Sequence, residues 1–295
     1  MNETVRARLY LVILILGWGV TWSTMKIALE DIPPFSMRVC SLSVGAATVL
    51  AVLLLQGRSL RIGKPRTWGR LCVASLINIV SFSVFTPYAQ LSAATSRVAI
   101  VVYTMPIWAC LIAWPVLGER IDRVRALALV LCVAGMTILI YPLTALGVPT
   151  GILLALAAGV SWAAGTVYLK WAKLDGDPFA ITFWQLAFAL LIIAVCLPVV
   201  EGSLQVSQAS TRSILAMIFS GMVGSGLSYF LWFDIVQRLP ASTASLGILA
   251  VPAIGVLSSM IILGERPTLD DLIGFALIFS ASACVLLWPN APRTT

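Results

Sequence analysis

Ten apolar stretches, each about 17–22 residues long and separated by short clusters of charge, proline and glycine, constrain this 295-residue chain more than any other feature. A run of that length crosses the roughly 30 Å hydrocarbon core of a bilayer as an α-helix rising about 1.5 Å per residue. The runs do not alternate in polarity with period two, as the strands of a membrane barrel do. With 60% apolar and only 11% charged residues, a water-soluble fold would expose apolar patches large enough to aggregate. Lipid removes that difficulty and requires backbone groups to be paired within each segment, which helices achieve. The reading is an all-α membrane protein with spans at roughly 8–28, 35–55, 69–90, 96–117, 124–142, 150–171, 179–199, 212–237, 242–263 and 271–288. The first run, Leu9 to Met25, is too long for a signal-peptide core and has no small-residue cleavage site after it, so it counts as the first span.

Arginine and lysine orient the spans, because cytoplasmic loops carry the excess. With the N-terminus cytoplasmic, the inside holds Arg6 and Arg8; Arg58, Arg61, Lys64, Arg66 and Arg70; Arg120, Arg123 and Arg125; Lys170 and Lys173; Arg238; and Arg293. That is 14 of the 19 basic residues. Lys26, Arg38, Arg97, Arg212 and Arg266 remain outside. Ten spans then place both termini of this multi-pass protein in the cytoplasm. The net charge of +7 is spread over separate short loops, which is not the continuous basic face that nucleic acid requires. The partners expected are the lipid bilayer and a small-molecule substrate.

The chain resembles itself. Shifted by 144 positions, Gly17-Trp18 meets Ser161-Trp162, Lys26 meets Lys170, and Pro34-Phe35 meets Pro178-Phe179. Shifted by 146, Pro106 meets Pro252, and Gly118-Glu119-Arg120 meets Gly264-Glu265-Arg266. Each copy holds five spans, and an odd number turns the second copy over. The expected organisation is a first repeat at 1–145 and a second, inverted repeat at 146–295. Inverted repeats of this kind enclose a substrate site near the bilayer midplane and work by alternating access. A monomer suffices for such a cavity, and the oligomeric state stays open.

The residues that recur between the halves also carry a family resemblance. Gly17-Trp18 followed by Lys26, and Pro106 followed by Leu117-Gly118-Glu119-Arg120, resemble the drug/metabolite transporter superfamily, in particular its EamA-type ten-helix exporters. The second copy repeats the pattern as Trp162 with Lys170, and as Pro252 with Leu263-Gly264-Glu265-Arg266. Within that superfamily the chain is most similar to bacterial aromatic amino-acid exporters, through Tyr103 three residues before the proline and Trp162-Ala163-Ala164 in the sixth span. It departs from them at Met105, where that group can carry tryptophan. The resemblance implies export of small metabolites across the bacterial inner membrane, with aromatic or large apolar amino acids foremost. Broad drug or metabolite efflux and a passive channel are the alternatives.

The chemistry available in the spans is narrow. No histidine is present, and the six cysteines stand singly within apolar runs, so no metal or cofactor is expected. No acid lies near the centre of a span, which leaves an intramembrane enzyme without an acid–base pair and a proton relay without members. Tryptophan collects at the membrane interface, yet Trp18, Trp108 and Trp162 lie deep. The candidate substrate-binding residues are Trp162, Tyr103, Phe82, Asn78, Trp18, Thr166 and Tyr229. Thr166 shares a helical face with Trp162, and Asn78 brings a mid-span amide that needs a partner. Pro106 and Pro252 are the candidate hinges, since each removes a backbone donor and frees the carbonyl four residues earlier, at Val102 and Ile248.

Overall fold

A computed structural model of the chain describes residues 3–119, 121–144, 150–240, 244, 248–266 and 268–287. The membrane helices are α1 (Glu3–Ala28), α2 (Pro34–Leu55), α3 (Pro65–Ser92), α4 (Thr95–Leu117), α5 (Arg123–Thr144), α6 (Thr150–Ala172), α7 (Pro178–Val200), α8 (Thr211–Arg238), α9 (Val251–Leu263) and α10 (Leu269–Leu287). Seven of them, α1 to α4 and α6 to α8, are long and apolar enough on their described residues to cross a membrane. The start of the expected ninth span at 242–247, Ala244 excepted, lies outside the described residues. So do Arg120, the 145/146 boundary between the repeats, and Arg293. The outer faces suit lipid: Val199 is 88% and Ile261 84% exposed, a hazard in water and ordinary solvation in hydrocarbon.

Local chemistry sets the helix ends. Pro34 and Pro178 occupy first-turn positions, where a missing N–H costs nothing. The Asp177 carboxylate caps α7 by accepting from Phe179 N–H at 2.8 Å. Glu201 does the same for α2 from a distant loop, accepting from Phe35 and Ser36 N–H at 2.7 and 2.8 Å. Gly118 and Gly264, at φ 67° and 69°, end α4 and α9 in the left-handed conformation that only glycine adopts without strain.

The fold is two inverted five-helix repeats, and the loops make the inversion visible. Loops 56–64 and 173–177 meet on one face through Arg58–Asp177 and Lys64–Asp175, each at 2.8 Å. Loops 29–33 and 201–210 meet on the other. There Asp31 accepts the Ser210 and Ser213 hydroxyls at 2.6 and 2.7 Å, and these bonds hold its carboxyl below the usual range. Helix α1 therefore ends on one face while its counterpart α6 ends on the opposite one.

Packing follows the same symmetry. α1 lies on α9 and α8 as α6 lies on α4 and α3; α2 lies on α8 as α7 lies on α3; α2 meets α7, and α5 meets α10. The halves thus interleave. The lysines that recur in the sequence hold equivalent positions. Lys26 donates to Gln90 O at the end of α3 (2.8 Å), and Lys170 to Val236 O and Leu239 O at the end of α8 (2.9 and 2.8 Å). An ammonium there satisfies carbonyls that have no partner within the helix. One equivalence has no sequence signal. α3 and α8 each contain a π-helical stretch, Ser75–Val80 and Ser220–Leu227. The extra residue in the turn leaves the apolar run unbroken, so hydropathy reads straight through it.

Candidate functional site

The helices that cross between the halves surround a central cavity of about 60 Å³. That is room for a few waters only, so the rings around it must part to admit a metabolite. Trp18 and Trp162, equivalent residues of the two repeats, meet edge to face at 5.3 Å between centroids. Trp162 also stacks on Tyr229 at 5.6 Å and 20°, and meets Phe82 at 4.8 Å. Trp22 joins Phe82 to Tyr103, each at 6.3 Å. All six rings line the cavity. Edge-to-face and stacked rings are worth about 0.5–1.5 kcal/mol per pair beyond area burial, so the cluster is a coherent apolar wall. The π stretch of α8 supplies small residues opposite it. Ser220, Gly224 and Ser225 face the cavity, and Gly224 O accepts from Trp18 Nε1 at 3.1 Å. Helix winding of this kind is frequent at functional sites.

Of the residues expected from the sequence, the structure brings Trp18, Phe82, Tyr103, Trp162 and Tyr229 to one cavity. Asn78 and Thr166 lie behind it. Asn78 Nδ2 and Thr166 Oγ1 both donate to Trp162 O, at 3.3 and 2.9 Å, and a Cβ added at Gly165 would meet Asn78 Cβ at 2.6 Å. Their polar groups hold the turn that carries Trp162. The prolines do more than kink a helix. α4 breaks at Tyr103-Thr104 and resumes at Met105, while a 3₁₀ turn, Ile248–Ala250, leads into α9 at Val251. Pro106 and Pro252 thus sit in the first turn of a new segment. The carbonyl that Pro106 frees, Val102 O, lies against Gly159 of α6, 2.7 Å from where a Cβ would stand.

Arg38 is the cavity residue that sequence reasoning placed elsewhere. Counted with the outside charges, it is instead buried in the cavity wall, 9% exposed, one helical turn inside α2. Its Nε donates to Ser83 O at 3.0 Å, and its Nη2 to Thr86 Oγ1 at 2.7 Å and Met25 Sδ at 3.0 Å. All three acceptors are neutral. A charge within a span costs up to about 2.5–3.5 kcal/mol on insertion scales, so one is retained mainly for function. The available signal was position: Arg38 follows Pro33-Pro34 by a full turn and is already inside an apolar run. By contrast Asp234, the other buried charge among the described residues, is paired within its own helix to Arg238 Nε at 2.8 Å.

A second cavity, about 560 Å³, opens on the face of loops 56–64 and 173–177. Lys64, Lys170 and Lys173 line it together with Asp175, Phe233 and Val236. Phe233 stacks on Tyr229 at 5.9 Å and 9°. Since Tyr229 lines the central cavity, this ring pair is the partition between the two spaces.

Known proteins resemble nearly the whole chain. The model described as EamA-like transporter family matches residues 6–141 and again 149–287. The uncharacterized transporter YoaV of Bacillus subtilis is 24% identical over 278 residues, covering 93% of this chain and 94% of its own. The uncharacterized transporter YvbV of the same organism is 28% identical over 290 residues, covering 95% and 91%. A crystal structure of a chain 22% identical has a TM-score of 0.75 and covers 96% of this chain and 97% of that one, a likeness of fold.

Proposed function

The chain belongs to the EamA-like transporter family, a small-molecule transporter of the membrane, and on that premise we propose that it exports metabolites bearing an aromatic or large apolar group by alternating access. The aromatic amino acids expected from the sequence fall in this class. One observation carries the reading: equivalent residues of the inverted halves, Trp18 and Trp162, meet at the wall of a single ring-lined cavity. A site shared by two inverted repeats becomes reachable from either face as the halves rock past each other. The lysine-lined vestibule lies on the loop face rich in basic residues, which the positive-inside rule makes cytoplasmic. A solute then enters by the vestibule, passes the Tyr229–Phe233 partition and leaves past α2 toward the face of loops 29–33. The boundary near 145 and the cytoplasmic termini belong to the same proposal, as does the hinge role of Pro106 and Pro252.

The test is ligand-dependent stabilisation of the detergent-purified protein against a panel of amino acids and drugs. A ligand that binds only the folded state raises the melting temperature in proportion to the logarithm of its concentration over Kd. Phenylalanine, tyrosine and tryptophan are expected to raise it, and alanine to leave it unchanged at equal concentration. Equal shifts for alanine and phenylalanine would remove the ring wall from the account.

A further inference from the structure

The rings leave one cavity feature unexplained, and it is a charge. Arg38 presents five N–H donors. The Nε donor and both Nη2 donors are engaged by Ser83 O, Thr86 Oγ1 and Met25 Sδ, which leaves the two donors of Nη1. Among the described residues, no aspartate or glutamate lines the cavity. The acids nearest along the chain on that face are occupied: Glu201 caps α2, Asp31 accepts from Ser210 and Ser213, and Glu30 pairs with Arg212 at 3.6 Å. A second donor in the wall also lacks an acceptor: Trp162 is 2% exposed and its Nε1 is buried without a hydrogen bond. The wall therefore offers the Nη1 donors of Arg38 to an anion and no carboxylate to an ammonium. Three backbone oxygens at or near the wall are already engaged or covered. Gly224 O and Trp162 O accept side-chain donors, and Val102 O lies against Gly159.

We propose that Arg38 anchors the carboxylate of the transported solute through Nη1, and that the preferred solute is an aromatic monocarboxylate of net negative charge. This rests on the reading of the cavity as a site for aromatic groups. Such a solute lays its ring on the Trp162–Tyr229 wall and its carboxylate on the guanidinium, whose planar fork matches two carboxylate oxygens. A zwitterionic amino acid meets the same two contacts and adds an ammonium that finds hydroxyls and ring faces in the wall but no carboxylate, and that Arg38 repels. The route in has the same polarity. Of the vestibule charges, Lys64 is paired with Asp175 and Lys170 holds the α8 carbonyls, so the remaining lysine, Lys173, leaves the space positive.

The experiment measures affinities of the purified protein for three ligands of one shape and different charge: 3-phenylpropanoate, L-phenylalanine and 2-phenylethylamine. The proposal predicts that 3-phenylpropanoate binds at least tenfold tighter than phenylalanine, and that 2-phenylethylamine binds weakest. Arg38→Lys keeps the charge and loses the fork, and it should retain the order with a smaller ratio. Arg38→Gln should abolish the order. Comparable affinity for all three in the native protein overturns the anion anchor while leaving the aromatic cavity intact. The reverse order overturns it outright. Binding of none of the three, in protein that melts cooperatively, overturns both this inference and the aromatic reading on which it rests.

Discussion

At Trp162 packing, backbone support and an unspent donor converge in one side chain. Its ring touches Trp18, Phe82 and Tyr229, its carbonyl accepts from Asn78 and Thr166, and its Nε1–H has no acceptor. A purely structural tryptophan and a substrate wall make different forecasts. If the ring is a wall, Trp162→Ala weakens binding of aromatic ligands tenfold or more and that of small ones little, and Trp162→Phe retains most of the affinity, as expected when one aromatic contact of about 0.5–1.5 kcal/mol and its buried area are lost. Affinities measured beside melting temperatures separate this from packing, which lowers stability and reduces every ligand alike. Five of the six cavity rings were legible in the sequence because a deep aromatic gains nothing from the interface and must pack or bind; Trp22 was not singled out. Arg38 was not, because two residues of proline and a short loop make it look like an ordinary flanking charge. Asn78 and Thr166 were found as polar groups at membrane depth, but spacing alone does not tell which of two neighbours, cavity or backbone, uses them.

Helices α4 and α9 share a proline in the first turn and a left-handed glycine at the end; a short helical segment and a break at Tyr103-Thr104 precede the proline of α4, and the 3₁₀ turn Ile248–Ala250 precedes that of α9. Because the halves are inverted, the two breaks lie toward opposite faces, as gates for alternate openings must. Replacing Pro106 or Pro252 with alanine returns a backbone donor and lets the helix run through. Transport is expected to fall severalfold in either variant while ligand affinity changes less than threefold, since the step lost is interconversion. Full transport in both variants would leave the breaks as features of shape only. The prolines announced these breaks in the sequence. The π stretches of α3 and α8 went unannounced, since i→i+5 winding is a property of backbone hydrogen bonding and leaves composition and hydropathy as they were.

For the whole molecule, the ten helices were readable because lipid imposes length, and their inversion because five is odd and the basic residues crowd alternate loops. How the halves interleave was not readable, because contacts between α1 and α9, or α2 and α8, depend on small residues meeting across the membrane. Gly45, for example, lies where a Cβ would come within 2.8 Å of Ser225, and nothing in either run names the other. The orientation is tested by labelling. In a background without the six native cysteines, an impermeant thiol reagent on intact cells should label a cysteine at Thr150 and miss one at Arg61, and labelling of both would contradict the topology. The central claim is that this cavity is served from one face at a time. Proteoliposome counterflow tests it most directly: uptake of labelled phenylalanine or 3-phenylpropanoate is expected to saturate and to run severalfold faster when the unlabelled compound fills the lumen, because a loaded site returns faster than an empty one. Uptake that rises linearly with concentration and ignores the luminal solute would mean a pore, and would contradict the account.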